Sequence, residues 1–243
     1  MNPEKVIAIV CAYWESRLEN IKRIISDLNE GTVIPYKIII LNNNGAKFSM
    51  AELSQLAANV VVVDSQLNTR TRGKYVVGLL EPADYYLMLD DDTSVSPKTL
   101  EALLRYAAKD RVLGYCGTNY EGGNGFRIYP SSVTELTPTQ YFLGCGIFGS
   151  FHSIIRLLMV EENLRIPYGW EHEGDDILMG LANNSFVPPL REGEGFVDLS
   201  WGTEAMSWGS DGITQGGSAY LEMRNRFTRD AMKVISEKGI PEF

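Results

Sequence analysis

Asp90, Asp91 and Asp92 stand in a row at the end of the apolar run Tyr85 to Leu89, and Thr93 follows them. Adjacent carboxylates repel one another, and such a cluster at the end of a buried strand is relieved by a cation. The pattern therefore points to a divalent-metal site, with Mn²⁺ or Mg²⁺ taking carboxylate oxygens from the protein and phosphate oxygens from a substrate. A second acidic knot, Trp170-Glu171-His172-Glu173-Gly174-Asp175-Asp176, leads into Ile177, Leu178 and Leu181. Asp175 and Asp176 thus fall at a helix N-terminus, where the dipole favours anions. Capping explains one of them, while the pair after a glycine and an aromatic reads as a site. Upstream of the first cluster lie Arg70, Arg72 and Lys74. On a helix, Arg70 and Lys74 stand at i and i+4 and face the same way, so they could hold a diphosphate; a solvated helix face is the plain alternative.

The apolar patterning says which elements position these groups. Lys5 to Ala12 is an unbroken β-rich run of the kind found in a parallel strand covered on both faces. Leu18, Ile21, Ile24, Ile25 and Leu28 recur at helical spacing before Gly31. A second strand, Tyr36 to Leu41, runs into the turn-formers Asn42-Asn43-Asn44-Gly45; Met50 to Ala58 reads as a helix and Val60 to Val63 as a third strand. Tyr85 to Leu89 is the fourth strand, after which Ser96 as N-cap and Pro97 as first residue open a helix. Arg111 to Gly117 reads as a fifth strand, Glu121 to Gly125 as a tight turn, and Phe126 to Tyr129 as a short strand. The glycine-rich stretch Phe142 to Ser150 suits backbone packed closely against a ligand or a neighbouring element, and a helix over Ile154 to Val160 follows. Ala182 to Gly217 reads as irregular, with a flexible loop from Ser207. Ser218 caps a last helix, Tyr220 to Lys238, which carries Arg224 and Arg226.

Alternating strands and helices predict an α/β fold: a Rossmann-like, mostly parallel central sheet flanked by helices, with ligands bound beyond the carboxyl ends of the strands. The 243 residues suffice for one sizeable domain, and 44% hydrophobic with 22% charged residues is an ordinary globular composition. A net charge of -9 argues against a nucleic-acid or anionic-membrane surface, which needs a basic face. No apolar run approaches the roughly 18–20 residues needed to span a bilayer, so the chain is expected to be cytoplasmic, or a soluble fragment of an anchored protein. Cys11, Cys116 and Cys145 read as reduced, buried thiols rather than a disulfide framework.

Two acid clusters, a basic triplet and the distal Arg224 and Arg226 all fit one ligand, a metal-bound nucleoside diphosphate with a group attached. A carboxylate across the site then serves the transferred group or an acceptor hydroxyl. Leu87 to Thr93 resembles the DXD signature of GT-A glycosyltransferases, most closely the exostosin-like glycosyltransferase family. Asp175-Asp176-Ile177-Leu178-Met179 is similar to that family's second motif, Asn42 to Gly45 to its nucleotide-facing turn, Asn68 with Arg72 to its donor-contacting segment, and Glu222 to Arg226 to its C-terminal helix. Phe227 departs from the pattern, standing where the family usually has Cys.

The resemblance implies transfer of a hexosyl or N-acetylhexosaminyl group from a nucleoside-diphosphate sugar, a UDP-sugar foremost, to a glycan or other hydroxyl acceptor, with retention of the anomeric configuration preferred over the inversion of the broader inverting GT-A enzymes. It implies that the base stacks near Tyr13 and bonds around Asn43, with Asn68 and Arg72 along the donor, and that Arg226 closes over the diphosphate. Asp90 and Asp91 would contact ribose and sugar, Asp92 the metal. Asp176 would lie beside the anomeric carbon with Asp175 on the sugar hydroxyls. About 1–117 would form the nucleotide-sugar half of a single domain and about 118–243 the acceptor side. Two other readings stand beside this one. Asp90-x-Asp92 with a later Gly174-Asp175-Asp176 resembles phosphoaspartate hydrolases, and the four tryptophans could serve a non-catalytic carbohydrate-binding protein.

Overall fold

The computed structural model describes residues 4–121, 124–142, 146–168, 174–199 and 217–239. Strand β1 (Val6–Ala12) leads through a 3-10 turn (Glu15–Arg17) into α1 (Leu18–Asn29), then β2 (Lys37–Asn42), a 3-10 turn (Ala51–Gln55) and β3 (Val60–Asp64). A further 3-10 turn (Arg70–Arg72) runs into α2 (Gly73–Gly78), followed by β4 (Tyr85–Asp90), β5 (Thr93–Val95), α3 (Thr99–Tyr106) and β6 (Arg111–Gly114). Then come β7 (Gly117–Glu121), β8 (Asn124–Ile128), β9 (Thr137–Pro138), β10 (Tyr141–Phe142) and β11 (Gly146–Ser150). The rest is α4 (Phe151–Tyr168), α5 (Asp175–Leu181), β12 (Asn184–Val187), β13 (Phe196–Asp198) and α6 (Gly217–Lys238).

The central sheet has eight strands in the order β3-β2-β1-β4-β11-β6-β12-β9. β3, β2, β1 and β4 run parallel, as do β6 and β12; β11 is antiparallel to both neighbours and β9 to β12. The expected mostly parallel sheet flanked by helices is what the chain builds. Successive side chains point to opposite faces of a strand, so a strand covered on both faces is apolar throughout. Ile7, Ile9, Tyr86 and Met88 face a core completed by α2, α4, α5 and α6. Val6, Ala8, Val10, Leu87 and Leu89 face the opposite core, with Ile21, Ile24 and Leu28 of α1 and Leu100 and Leu103 of α3. Each of the valine, leucine, isoleucine and methionine side chains among these contributes roughly 1.5–3 kcal/mol by leaving water.

Several local expectations need correction. Met50 to Ala58 makes only the 3-10 turn over Ala51–Gln55, in which Leu53 is the one buried side chain, so no apolar helical stripe forms there. Ser96 does not cap α3 with its side chain; the helix starts at Thr99. The preceding backbone is tied to the 193–195 turn instead, Ser96 N donating to Gly195 O at 2.8 Å and Lys98 N to Gly193 O at 3.0 Å. Arg111 to Gly117 is divided between two sheets: β6 belongs to the central one, and β7 pairs with β10 and β8. The stretch read as irregular holds two strands, β12 alongside β6 and β13 antiparallel to β5. Their few residues are too short for period-two alternation to show. The glycines of β11 serve a neighbouring element: a Cβ on Gly146 would lie 2.1 Å from the Phe196 ring. Of the expected 207–217 loop, all but Gly217 lies outside the described residues, as do Cys145, Trp170, Trp201 and Trp208.

Candidate active site

In the order β3-β2-β1-β4 the chain goes one way from β1 to β2 and β3, then returns to β1's other side for β4. The loops leaving β1 and β4 therefore splay apart and open a crevice beyond the carboxyl ends of those strands. Register fixes what meets there: Cys11 pairs with Asp90 and with Leu41, and Ala12 with Asn42. Tyr13, Asn43 and the acid triplet consequently emerge at one edge of the sheet. The triplet is braced beneath, because Asp198 of β13 pairs with Thr93 and Leu199 N donates to Asp92 O at 2.7 Å.

The three acids have different surroundings. Asp91 is buried, with Arg17 Nη1 on Oδ1 and the Tyr13 backbone N–H on Oδ2 at 3.3 Å. The same Arg17 Nη1 donates to Asp92 Oδ2 at 3.0 Å. Burial, with Asp92 and Asp90 adding repulsion and Arg17 opposing, pushes Asp91 up to about 6. Asp92 is raised too, by burial and then by Asp90. Asp90, with a side chain 28% exposed, accepts from Lys74 Nζ at 3.1 Å. Arg17 escaped the sequence reading; its only signal there is that it is the cation in the loop after β1.

Asp175 and Asp176 open α5, as expected, and Gly174 before them sits at φ 72°. A Cβ on Gly174 would lie 2.3 Å from the Phe227 ring, so Phe227 packs α6 directly against this turn. Thr71 Oγ1 donates to Asp175 Oδ1 at 2.6 Å, and Lys74 Nζ lies 3.8 Å from Asp175 Oδ2. Burial raises Asp175, with Lys74 opposing. Arg224 Nη2 donates to Asp176 Oδ2 at 2.8 Å. Arg226 points elsewhere, 70% exposed with Nε 4.0 Å from Asp230. Of Arg224 and Arg226, geometry brings Arg224 to the acid pair, at Asp176.

Lys74 and Arg70 do not share a helix face, which corrects the expected diphosphate clamp. Arg70 takes a left-handed φ of 52° within the 3-10 turn, its N–H held by Asn68 Oδ1 at 2.8 Å, and its side chain is exposed. Lys74 points inward and is only 2% exposed. Arg72 turns toward α4, its Nε 3.0 Å from Glu161 Oε2. Asn43 is buried and spends its amide within the protein. Its Nδ2 donates to Arg70 O at 2.7 Å and meets Cys11 Sγ at 3.1 Å, and its Oδ1 accepts from Thr69 Oγ1 at 2.6 Å. Asn43 thereby ties the 68–72 segment to the sheet edge.

Among the described residues no group of three or more His, Cys, Asp or Glu side chains is placed to hold an ion unaided. Two neighbouring carboxylates, Asp90 and Asp92, nevertheless fit Mg²⁺ or Mn²⁺, which bind through one or two carboxylates plus substrate phosphates.

A family model matches residues 7–156, which hold β1 through β11, α1 through α3 and the acid triplet; it is that of Glycosyl transferase family 2. The chain belongs to glycosyl transferase family 2. The match is to the family as a whole, broader than the exostosin-like likeness of the motifs. Among curated proteins none matches this family 2 chain. Among solved structures, GalNAc-T7 crystallised with UDP, GalNAc and Mn²⁺ is similar at a TM-score of 0.64 and 11% identity, over 96% of this chain and 48% of that one. TarS 1-349 of S. aureus is similar at a TM-score of 0.52 and 17% identity, over 77% of this chain and 58% of that one. At these identities the likeness is one of fold, and this family 2 chain spans about half the length of the structures it matches. No described helix is long and apolar enough to cross a membrane.

Proposed function

We propose that this family 2 glycosyltransferase moves a sugar from a UDP-sugar to a hydroxyl of a glycan or similar acceptor, with Mn²⁺ or Mg²⁺ at the donor diphosphate. The observation that carries the reading is the convergence of the triplet Asp90 to Asp92 and the pair Asp175 and Asp176 at the β1/β4 crevice, joined through Lys74. Family membership favours this over the phosphohydrolase and the non-catalytic carbohydrate binder, and the fold-level neighbour holding UDP, GalNAc and Mn²⁺ supports the donor and metal.

Asp92, with Asp90 beside it, would hold the metal, which supplies positive charge to the departing diphosphate. Asp91, gripped by Arg17 and the Tyr13 N–H, orients the loop rather than touching ligand. The Tyr13 ring and the Asn43-anchored segment with Asn68 and Arg70 line the nucleotide side, while Arg72 ties that segment to Glu161 of α4. Asp176 faces the reacting carbon with Arg224 matching its charge, and Asp175 orders the sugar hydroxyls. Asp176 can act as base on the acceptor hydroxyl, giving inversion, or as a fixed anion beside an oxocarbenium-like transition state, giving retention. NMR of the first-formed anomer distinguishes the two.

Thermal-shift measurements with UDP and Mn²⁺ test the proposal. UDP and Mn²⁺ together should raise the melting temperature by several degrees, and UDP with a chelator much less. No stabilisation by any nucleotide or nucleotide sugar in the presence of metal would overturn it.

A further inference from the structure

Lys74 was read from sequence as a phosphate ligand, yet its ammonium lies inside the protein. Its Nζ stands 3.1 Å from Asp90 Oδ1 and 3.8 Å from Asp175 Oδ2. Two carboxylates stand against this one buried amine, and they match the positive charge of an ammonium ion. Asp175 Oδ1 takes the Thr71 hydroxyl, whereas Asp175 Oδ2 is buried and makes no hydrogen bond among the described residues. That oxygen faces Lys74. The lysine's own place is narrow, since a Cβ on the preceding Gly73 would lie 2.1 Å from Thr69 Oγ1 and 2.5 Å from Leu41 Cδ2. α2 is thus pressed onto β2, and Lys74 is delivered to one spot between two acid clusters from distant parts of the chain.

We infer that Lys74 is a positioning residue whose ammonium sets the spacing between donor-side Asp90 and the Asp175–Asp176 pair. This rests on the proposed function of the same site. The inference carries two consequences of opposite sign. One cation beside Asp90 lowers the local negative potential that a divalent ion would feel, so removing it strengthens metal binding. The same removal releases Asp175 from its register with the donor, so transfer slows. A residue that merely held the fold together would weaken both when replaced.

Lys74→Met, similar in length and without charge, is the first test, with free Mn²⁺ followed by electron paramagnetic resonance and UDP release measured from UDP-GalNAc, UDP-GlcNAc and UDP-glucose. The expected result is Mn²⁺ binding tighter by about threefold to tenfold, with kcat lower by about 100-fold and donor KM changed by less than about threefold. Lys74→Arg keeps the charge in a different shape, so Mn²⁺ affinity should stay within about twofold while kcat falls about tenfold. Weaker Mn²⁺ binding in Lys74→Met, or an unchanged kcat, overturns the inference. Should Lys74→Met not fold, Lys74→Arg decides, and a wild-type kcat in that variant overturns it. Wild-type protein that binds neither Mn²⁺ nor UDP overturns instead the reading of the site, so the two failures are distinguishable.

Discussion

The two acid clusters are held in place by different means. Asp90 ends a strand in the interior of the sheet, between β1 and β11, and its loop is braced by the β5/β13 pair. Backbone ladders fix where these carboxylates stand, and Arg17 adds a local clamp. Asp175 and Asp176 ride on the seven-residue helix α5, and their partners are side chains delivered by separate elements: Thr71 and Lys74 from the segment entering α2, and Arg224 from α6. The proposed metal and donor side is therefore held by the sheet, whereas the proposed reacting side depends on two helices being docked. On the proposed function, donor binding should then survive changes that stop transfer.

Asp176→Asn should break this comparison most visibly. Transfer is expected to fall by about 10²–10⁴-fold, the span typical of a lost catalytic carboxylate, while the UDP and Mn²⁺ thermal shift persists. Near-normal turnover would remove Asp176 from the mechanism. Asp92→Ala should do the converse, leaving a folded protein by circular dichroism whose UDP affinity no longer responds to Mn²⁺. Unchanged Mn²⁺-dependent UDP binding would sink the metal assignment.

Arg17→Met tests the clamp. It leaves Asp91 buried without its guanidinium, which should cost about 3–5 kcal/mol by denaturant titration, because the pair is buried, with side chains 6% and 7% exposed. A loss below about 1 kcal/mol, the size of a surface pair, would show that Asp91 is solvated. The smallest contrast separates Arg224 from Arg226 on α6. Arg224→Ala is expected to lower kcat at least about tenfold, and Arg226→Ala, removing a side chain that is 70% exposed, less than about threefold. The reverse order would restore Arg226 to the donor.

Much of the scaffold could be read along the chain. The apolar runs of β1, β2, β3 and β4 and the amphipathic α1 are local patterns, and strands alternating with helices imply the parallel sheet and its ligand-binding edge. The triplet at the end of β4 and the acid pair opening α5 were legible for the same reason, since each is a contiguous string at a predictable element end. What failed were signals shorter than their period. β12 and β13 are too brief to show alternation, and β11 reads as a glycine-rich stretch rather than a strand because Gly146 makes room for Phe196 and Gly149 packs against Met179 and Val112.

Residue type and order alone determined that two acid clusters and a set of basic residues are present and which elements carry them, because strand and helix periodicity is written locally. Only the tertiary structure decided which cation meets which acid. Arg17, not the 70–74 triplet as a group, grips Asp91 and Asp92; Lys74 turns inward between Asp90 and Asp175 once Arg70 adopts a left-handed φ; and Arg224, not Arg226, reaches Asp176. Such pairings join residues far apart in sequence through docking of helices on a sheet, and a charge has no period by which its distant partner can be read.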